Sequence, residues 1–454
     1  MKKIYILALA AAAAIIPAQA QQKVMRIHLA DGTSITQPVS NVTKITFEGS
    51  EEPGPDEPTE KLVDLGLSVK WATYNMGATR PSEGGNFYAY GEIEPKDDYT
   101  IDNYKWAYWD YNDWDCDPWE QYLKLGATIT GSYYDVAHMK WGDQWRMPTK
   151  AECEEMLNNC TWELATVDGV KGILGTSTIN GNTIFFPYAG NKFDGQATHQ
   201  GTNAFLWTAT EYEQDDITAE VRNYRMCIDS NYQLASGYDY PEVGFNVRAV
   251  YGPAPEPAAP EITAPTAETM VDLGLSVKWS AMNLGASSPT GKGAFFCWGE
   301  TWEKQYSHSY NYKYFNPYDE TYEDIGENIC GNATYDPAAK YWGDGWRMPT
   351  KAELEELINN CTWTYTSSGA TVTGPNGNSI FLPALGMMSY KGQQALGRGS
   401  EEINYLSGET ADATSASCYS LVSTRSGYGS NFATPSIRTW SARAGGVQVR
   451  PVHE

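Results

Sequence analysis

Along most of this chain apolar and polar residues alternate over short runs, and a helical period stands out at only one place in each half. Leu65, Leu67, Val69 and Trp71 take alternate positions, as in a half-buried strand, and Leu273, Leu275, Val277 and Trp279 repeat the pattern. Asn180-Gly181 and Asn376-Gly377 precede the apolar runs "TIFFP" and "SIFLP", which predicts a tight turn leading into a buried strand. The helical period follows "RMP". Thr149 and Glu152, like Thr350 and Glu353, have the spacing of a capping box, in which hydroxyl and carboxylate satisfy backbone donors at a helix start. Its apolar face is Cys153, Met156, Leu157 and Cys160 in one copy and Leu354, Leu357, Ile358 and Cys361 in the other. Cys160 and Cys361 are therefore expected as buried free thiols.

The patterns recur because the chain is duplicated. "VDLGLSVKW" at 63–71 returns unchanged at 271–279, and "WGDQWRMPTKAE" from Trp141 returns as "WGDGWRMPTKAE" from Trp342. The copies close on "GFNVRAV" and "GVQVRPV". Two tandem domains follow, at 63–251 and 271–454, α+β in class and dominated by β-structure. A Pro/Glu-rich linker at 51–62 precedes the first, and a Pro/Ala-rich linker at 252–270 joins the two. That composition predicts extended, semi-rigid spacers and repeats that behave as independent beads. In the segment 21–50, Met25, Ile27 and Leu29 alternate with Arg26 and His28, Asp31-Gly32 supplies a turn, and a second apolar run ends at Phe47. This predicts a small β-hairpin module, too short to bury a core alone.

Residues 1–20 read as a secretory signal peptide, with Lys2 and Lys3, an apolar run from Ile4 to Ile16 and Ala18-Gln19-Ala20 as cleavage site. The mature chain is expected to be extracytoplasmic: secreted, on the cell surface or in the periplasm. No later apolar run is long enough for a transmembrane segment. With 32 basic against 56 acidic residues, the net charge of −24 repels phosphate backbones and argues against nucleic acid as a partner. Eight cysteines in so long a chain permit disulfides without requiring them. The 31 tyrosines and 16 tryptophans serve equally as core filler and as surfaces that stack on sugars.

The segment "DVAHMKWGDQWRMPTKAE" from Asp135, with its counterpart from Asp336, resembles the "RLPTEAEWE" region of the formylglycine-generating-enzyme-like branch of the C-type-lectin fold. The order "VDLGLSVKWA", "YGE" or "WGE", "WRMPTKAE", "IFFP" and terminal "VRPV" is similar to the Fibrobacter succinogenes major paralogous domain family of exported proteins, across both copies. The resemblance implies two tandem C-type-lectin-like domains whose first and last strands pair, with irregular loops forming the variable face.

Arg146 and Arg347, beside the helix start, are read as scaffold residues that order loops, with Asp143 and Asp344 nearby. Glu94-Pro95-Lys96 and Tyr111-Asn112-Asp113 are faintly like calcium-site elements of C-type lectins, but they precede the helix and have no counterpart in copy two. The stretch from Asp97 to Tyr122 mixes carboxylates with Trp106, Trp109, Trp114 and Trp119. It suits either a calcium or sugar site or a loop that packs on its own rings. The histidines His28, His138, His199, His308 and His453 occupy no equivalent places in the two copies, and no "HExxH" occurs. Neither a catalytic residue nor a metal or cofactor is expected.

The copies agree up to "IFFP" and "IFLP" and then diverge, through 190–241 and 386–445. A kept scaffold with altered loops is how one fold changes partners, although loops without function also drift. The ring-bearing candidates there are Trp207, Tyr212, Tyr224, Tyr232, Tyr238 and Tyr240 in copy one, and Tyr390, Tyr405, Tyr419, Tyr428 and Trp440 in copy two. The expected function is non-catalytic binding or adhesion to a glycan or another cell-surface ligand, with a purely structural envelope protein, or an enzyme of the formylglycine-generating-like fold, as the alternatives.

Overall fold

The last strand of each repeat pairs with the strand near its start that carries Trp71 or Trp279, which closes the repeat on itself. The computed structural model describes residues 24–28, 34–38, 62–107, 122–212, 221–229, 234–256, 262–304, 307–343, 345–389, 392–394, 401–425, 431–440 and 443–454. They fall into two units, Met1–Glu57 and Pro58–Glu454. In the first, β1 (Val24–His28) pairs antiparallel with β2 (Ser34–Pro38), Ile27 opposite Ile35. The expected signal peptide at 1–20 and the linker at 51–61 lie outside the described residues.

The second unit holds both repeats and is β-dominated with few helices. In repeat one, β3 (Leu62–Val63), β4 (Lys70–Ala72), β14 (Val250–Tyr251) and β5 (Trp145–Arg146) form one sheet in the order β3-β4-β14-β5. A second sheet joins β6 (Cys160–Val167), β7 (Val170–Ser177) and β8 (Thr183–Pro187). A short hairpin of β9 (Asn191–Phe193) and β10 (Gln196–Thr198) precedes a third sheet of β11 (Asn203–Glu211), β12 (Asn223–Asp229) and β13 (Leu234–Asp239). Repeat two has the same closing sheet, with Trp279 opposite Val452 and Arg347 opposite Val452 on its other side. Its third sheet gains the pairs of Phe295–Phe296 and Val447–Gln448, which repeat one makes as the single bridges Tyr88 to Phe245 and Leu206 to Asn246.

The helix after "RMP" forms as its capping box predicts. α2 spans Lys150–Asn158, with Thr149 Oγ1 accepting from Glu152 N and the Glu152 carboxylate accepting from Thr149 N. The matching helix, Lys351–Asn360, is capped identically by Thr350 and Glu353. Cys153, Met156 and Leu157 are buried in a core shared with Ile173, Ile184, Leu206 and Met226. Cys160 is also buried, but as the first residue of β6, because the helix ends two residues earlier. Cys361 follows its helix as the C-cap and is only half-buried, so the expectation of a buried thiol fails there.

Two sequence readings change. The stretch Leu65 to Val69 is a turn, not a strand, although Leu65 and Trp71 are fully buried. Its backbone groups are taken by side chains: Asp64 Oδ1 accepts from Gly66 N at 2.8 Å, Asn180 and Asn182 both donate to Asp64 O, and Ser68 N donates to Glu155 of α2 at 3.0 Å. Gly66 has φ +74°, and a Cβ there would lie 2.8 Å from Ile179 Cγ2. Alternation thus arises in a turn that is laced down on one side. A second helix, α1 (Val136–Trp141), is unanticipated, being six residues long with no room for a periodic signal.

The spacer reading of the second linker also changes. Arg146 Nε donates to Gly252 O and Pro253 O, Trp342 Nε1 donates to Thr263 O at 3.0 Å, and Ile262 packs on the core of repeat two. The repeats themselves touch through aromatic side chains. Trp106 lies edge-on to Tyr134 and to Tyr318 of repeat two, with centroids 5.1 and 5.7 Å away. Tyr134 Oη donates to Tyr310 O at 2.7 Å, and Tyr318 Oη donates to Gly91 O at 3.2 Å. Because a polar linker carries no information about what its flanking domains do to each other, this contact is invisible in its composition. Among the described residues no helix is long and apolar enough to cross a membrane.

Replacing Thr149 by Ala is expected to lower stability by about 1 kcal/mol, the usual cost of a lost capping hydroxyl, measured by urea denaturation. A second expectation concerns His308, near the contact between the repeats. Desolvation pulls its imidazole down to about 4, the Lys304 ammonium acts in the same direction, and a hydrogen bond with the Lys124 backbone opposes both. A histidine whose folded value is depressed contributes its full stability above the unfolded value near 6.5 and loses it as pH falls towards the folded one. Between pH 7 and pH 5 the chain should lose about 2 kcal/mol more stability than His308→Gln. Equal losses in both proteins would contradict this.

Candidate functional site

Several polar motifs shared by the repeats turn out to hold the scaffold. Asp135, fully buried, caps α1 and accepts from the backbone N–H groups of Gly131, Ala137, His138 and Met147, so one carboxylate joins a loop, a helix start and the strand exit after β5. Asp336 does the same with Gly331, Ala338, Ala339 and Met348. Arg146 and Arg347 make two-pronged pairs with the capping glutamates, Arg146 at 2.9 and 2.5 Å and Arg347 at 2.9 and 2.7 Å. Their expected role as loop-ordering residues fits this geometry. Asp143 is exposed, 4.0 Å from His138, and Asp344 lies outside the described residues.

A further ion pair, missed in the sequence, links Glu92 to Lys96 at 2.9 Å and Glu300 to Lys304 at 3.0 Å. The signal was present as Glu and Lys four residues apart in both "GEIEPK" and "GETWEK". Each ammonium also reaches the carbonyl oxygen of Asn103 or Asn311, and each carboxylate accepts from a later backbone N–H, of Lys105 or Lys313. Lys96, whose resemblance to a calcium element was set aside, is thus a loop clamp.

The third sheet of repeat one brings together three of the ring candidates. Tyr224 on β12 stands opposite Tyr238 on β13, and Tyr212, just past β11, lies between them. The Tyr212 ring is 4.0 Å from that of Tyr238 and 5.0 Å from that of Tyr224. Tyr238 is 49 % exposed, while Tyr212 and Tyr224 are half-buried. The Lys150 ammonium lies 4.7 Å from the Tyr224 centroid and 3.1 Å from Glu154, so the start of α2 borders the rings with a cation. Beneath, between α2 and β12, the enclosed space is only about 10 Å³. The group is an open platform and not a pocket. Repeat two keeps one ring of it, Tyr419, 4.6 Å from Lys351, with Thr439 opposite where repeat one has a tyrosine.

The remaining candidates separate. Trp207 is fully buried, its Nε1 donating to Tyr88 O at 2.8 Å and its ring packed on Phe245, and Tyr405 is 1 % exposed beside Arg450. Neither reaches a ligand, because the strand that carries it runs through the core with both faces covered. Tyr240 packs beneath Arg222 and against Tyr122. Tyr232, Tyr390, Tyr428 and the side chain of Trp440 lie outside the described residues. So does 108–121, the middle of the acidic aromatic stretch. Its described rings, Tyr99, Tyr104, Trp106 and Tyr122, are buried, as in a loop that packs on itself.

Among the described residues no group of three or more histidine, cysteine or carboxylate side chains is placed to hold a metal ion. No family model, curated protein or solved structure matches the chain.

The described cysteines are free, and burial pushes the thiols of Cys160, Cys330 and Cys418 up, to about 11, 12 and 12. A thiol so raised has almost no thiolate at neutral pH. Native protein at pH 7.5 should therefore resist iodoacetamide at these cysteines and react fully after unfolding, as read by mass spectrometry of peptides. Rapid native labelling of Cys160 would contradict the arrangement.

Proposed function

We propose that this chain is an exported, non-catalytic binding protein of the cell envelope or exterior, which recognises a glycan or another surface ligand through lectin-like domains. The observation that carries the reading is the tyrosine platform of repeat one: three rings within 5.0 Å of their neighbours, one of them half exposed, bordered by Lys150. Such a surface meets the C–H face of a sugar with little ordering cost, since its rings already pack on one another. The pairing of the last strand of each repeat with a strand near its start, with the divergent segments between them, supports the lectin-like part of the reading. Fold likeness alone is a weak warrant for function, so the platform must bear the test.

A purely structural role is favoured by a different observation. Trp71, Trp207, Trp279 and Trp298 are all fully buried, so much of the aromatic content is core. A glycan array probed with the full chain separates the two readings. For whichever glycan binds best, Tyr238→Ala should weaken affinity about tenfold, or 1.4 kcal/mol, with an unchanged melting temperature. Binding unaffected by that substitution, or absent throughout the array, would leave the structural reading standing.

A further inference from the structure

Repeat one carries a groove at a place where repeat two buries an apolar side chain. It measures about 630 Å³ and is lined by Asn86, Phe87, Pro95, Lys96, Asp97 and Lys192, with Tyr99 as its floor. The volume is in the range of small-molecule clefts. Its walls are held from several sides. Tyr99 Oη donates to Phe87 O at 2.6 Å and accepts from Lys96 N at 3.0 Å. Lys192 exchanges both backbone hydrogen bonds with Gly244, each 2.9 Å long, and Gly244 lies flat against the Tyr99 ring, where a Cβ would come within 2.8 Å of it. Gly85, at φ +74°, leaves no room for a side chain, since a Cβ would lie 2.4 Å from Met76 O.

Of the two ammonium groups only one is available. Lys96 is consumed by Glu92 and Asn103. Lys192 lies 5.6 Å from the centroid of Phe87 and has no ion-pair partner among the described residues, and Asp97 lines the same groove without pairing to it.

Matched hydrogen bonds identify the counterpart in repeat two. Met388 N donates to Gly446 O, as Lys192 N does to Gly244 O, so Met388 replaces Lys192. Ser307 replaces Tyr99, and its hydroxyl donates to Met388 O and accepts from Gly446 N. Met388 is 3 % exposed. One backbone frame therefore buries an apolar side chain in one repeat and presents a cation to an open groove in the other.

We infer that the repeat-one groove is a binding site for an acidic sugar unit, a uronate, whose carboxylate meets Lys192, whose hydroxyls meet Asn86 and Asp97, and whose ring lies on Phe87. A neutral sugar leaves the ammonium unmatched, and a simple anion leaves Asp97 and the ring unused. The inference does not rest on the tyrosine platform, which lies on another sheet.

The test is calorimetric titration of the full chain with trigalacturonate and with its methyl ester, which keeps the sugar and removes the charge. The acid should bind at least tenfold more tightly than the ester, and more weakly as salt is raised. Lys192→Met, which installs the residue of repeat two, should abolish that preference, Lys192→Arg should keep it, and Tyr238→Ala should leave it unchanged. Asp97→Asn, a change at an exposed residue, should weaken both ligands and serves if Lys192→Met fails to fold. Equal affinity for acid and ester, unaltered binding by Lys192→Met or no binding of trigalacturonate would overturn the inference. Binding lost in Tyr238→Ala but kept in Lys192→Met would also overturn it and move the ligand to the platform.

Discussion

Each repeat depends on one buried arginine near its end. Arg248 is fully buried and donates to Ala72 O, to Asn75 Oδ1 and to Phe185 O, with its guanidinium 4.4 Å from the Phe186 ring. Its partners come from the start and the middle of the repeat while it stands near the end itself, so a single side chain fixes how three distant segments meet. Arg450 repeats the arrangement with Ser280 O and Phe381 O. An unpaired buried charge costs several kcal/mol, and here carbonyl dipoles and a ring face offset that cost instead of a carboxylate. Burial pulls Arg248 down to about 9, which still leaves it charged at neutral pH. Because the donors of a guanidinium are fixed in one plane, lysine would not meet the same three acceptors.

With the ends locked, the parts between them are free to differ. Asp135, Arg146 and Glu152, and their counterparts in repeat two, fasten the loops around α1 and α2 by short polar contacts that tolerate little change. The third sheet and the hairpin before it keep common backbone ties, Lys192 N or Met388 N to Gly244 O or Gly446 O and Ala209 N or Gly408 N to Pro148 O or Pro349 O, but differ in the side chains they present. There repeat one has Tyr212, Tyr238 and Lys192, and repeat two has Thr439 and the buried Met388. The two surfaces proposed for binding both lie in this region, one on the sheet and one beside the hairpin. The aromatic contact between the repeats, built on Trp106, Tyr134, Tyr310 and Tyr318, then holds the two differing faces in one body.

The sequence by itself determined what is local or repeated. The duplication, the capping boxes at Thr149 and Thr350, the turns at Asn180-Gly181 and Asn376-Gly377 and the β-dominated class all follow from neighbouring residues acting on their own backbone. Alternation at Leu65 to Trp71 misled because it reports which side chains face a core, and a turn pinned by Asp64, Asn180 and Asn182 meets that condition as well as a strand. Which rings are exposed was decided only by tertiary structure. Trp207 and Tyr238 look equivalent in a divergent segment, yet one lies on a strand covered on both faces and the other on the last strand of its sheet. The same holds for the cations: a carboxylate four residues away reaches Lys96, whereas among the described residues Lys192 has a ring, Phe87, and no carboxylate within ion-pair distance.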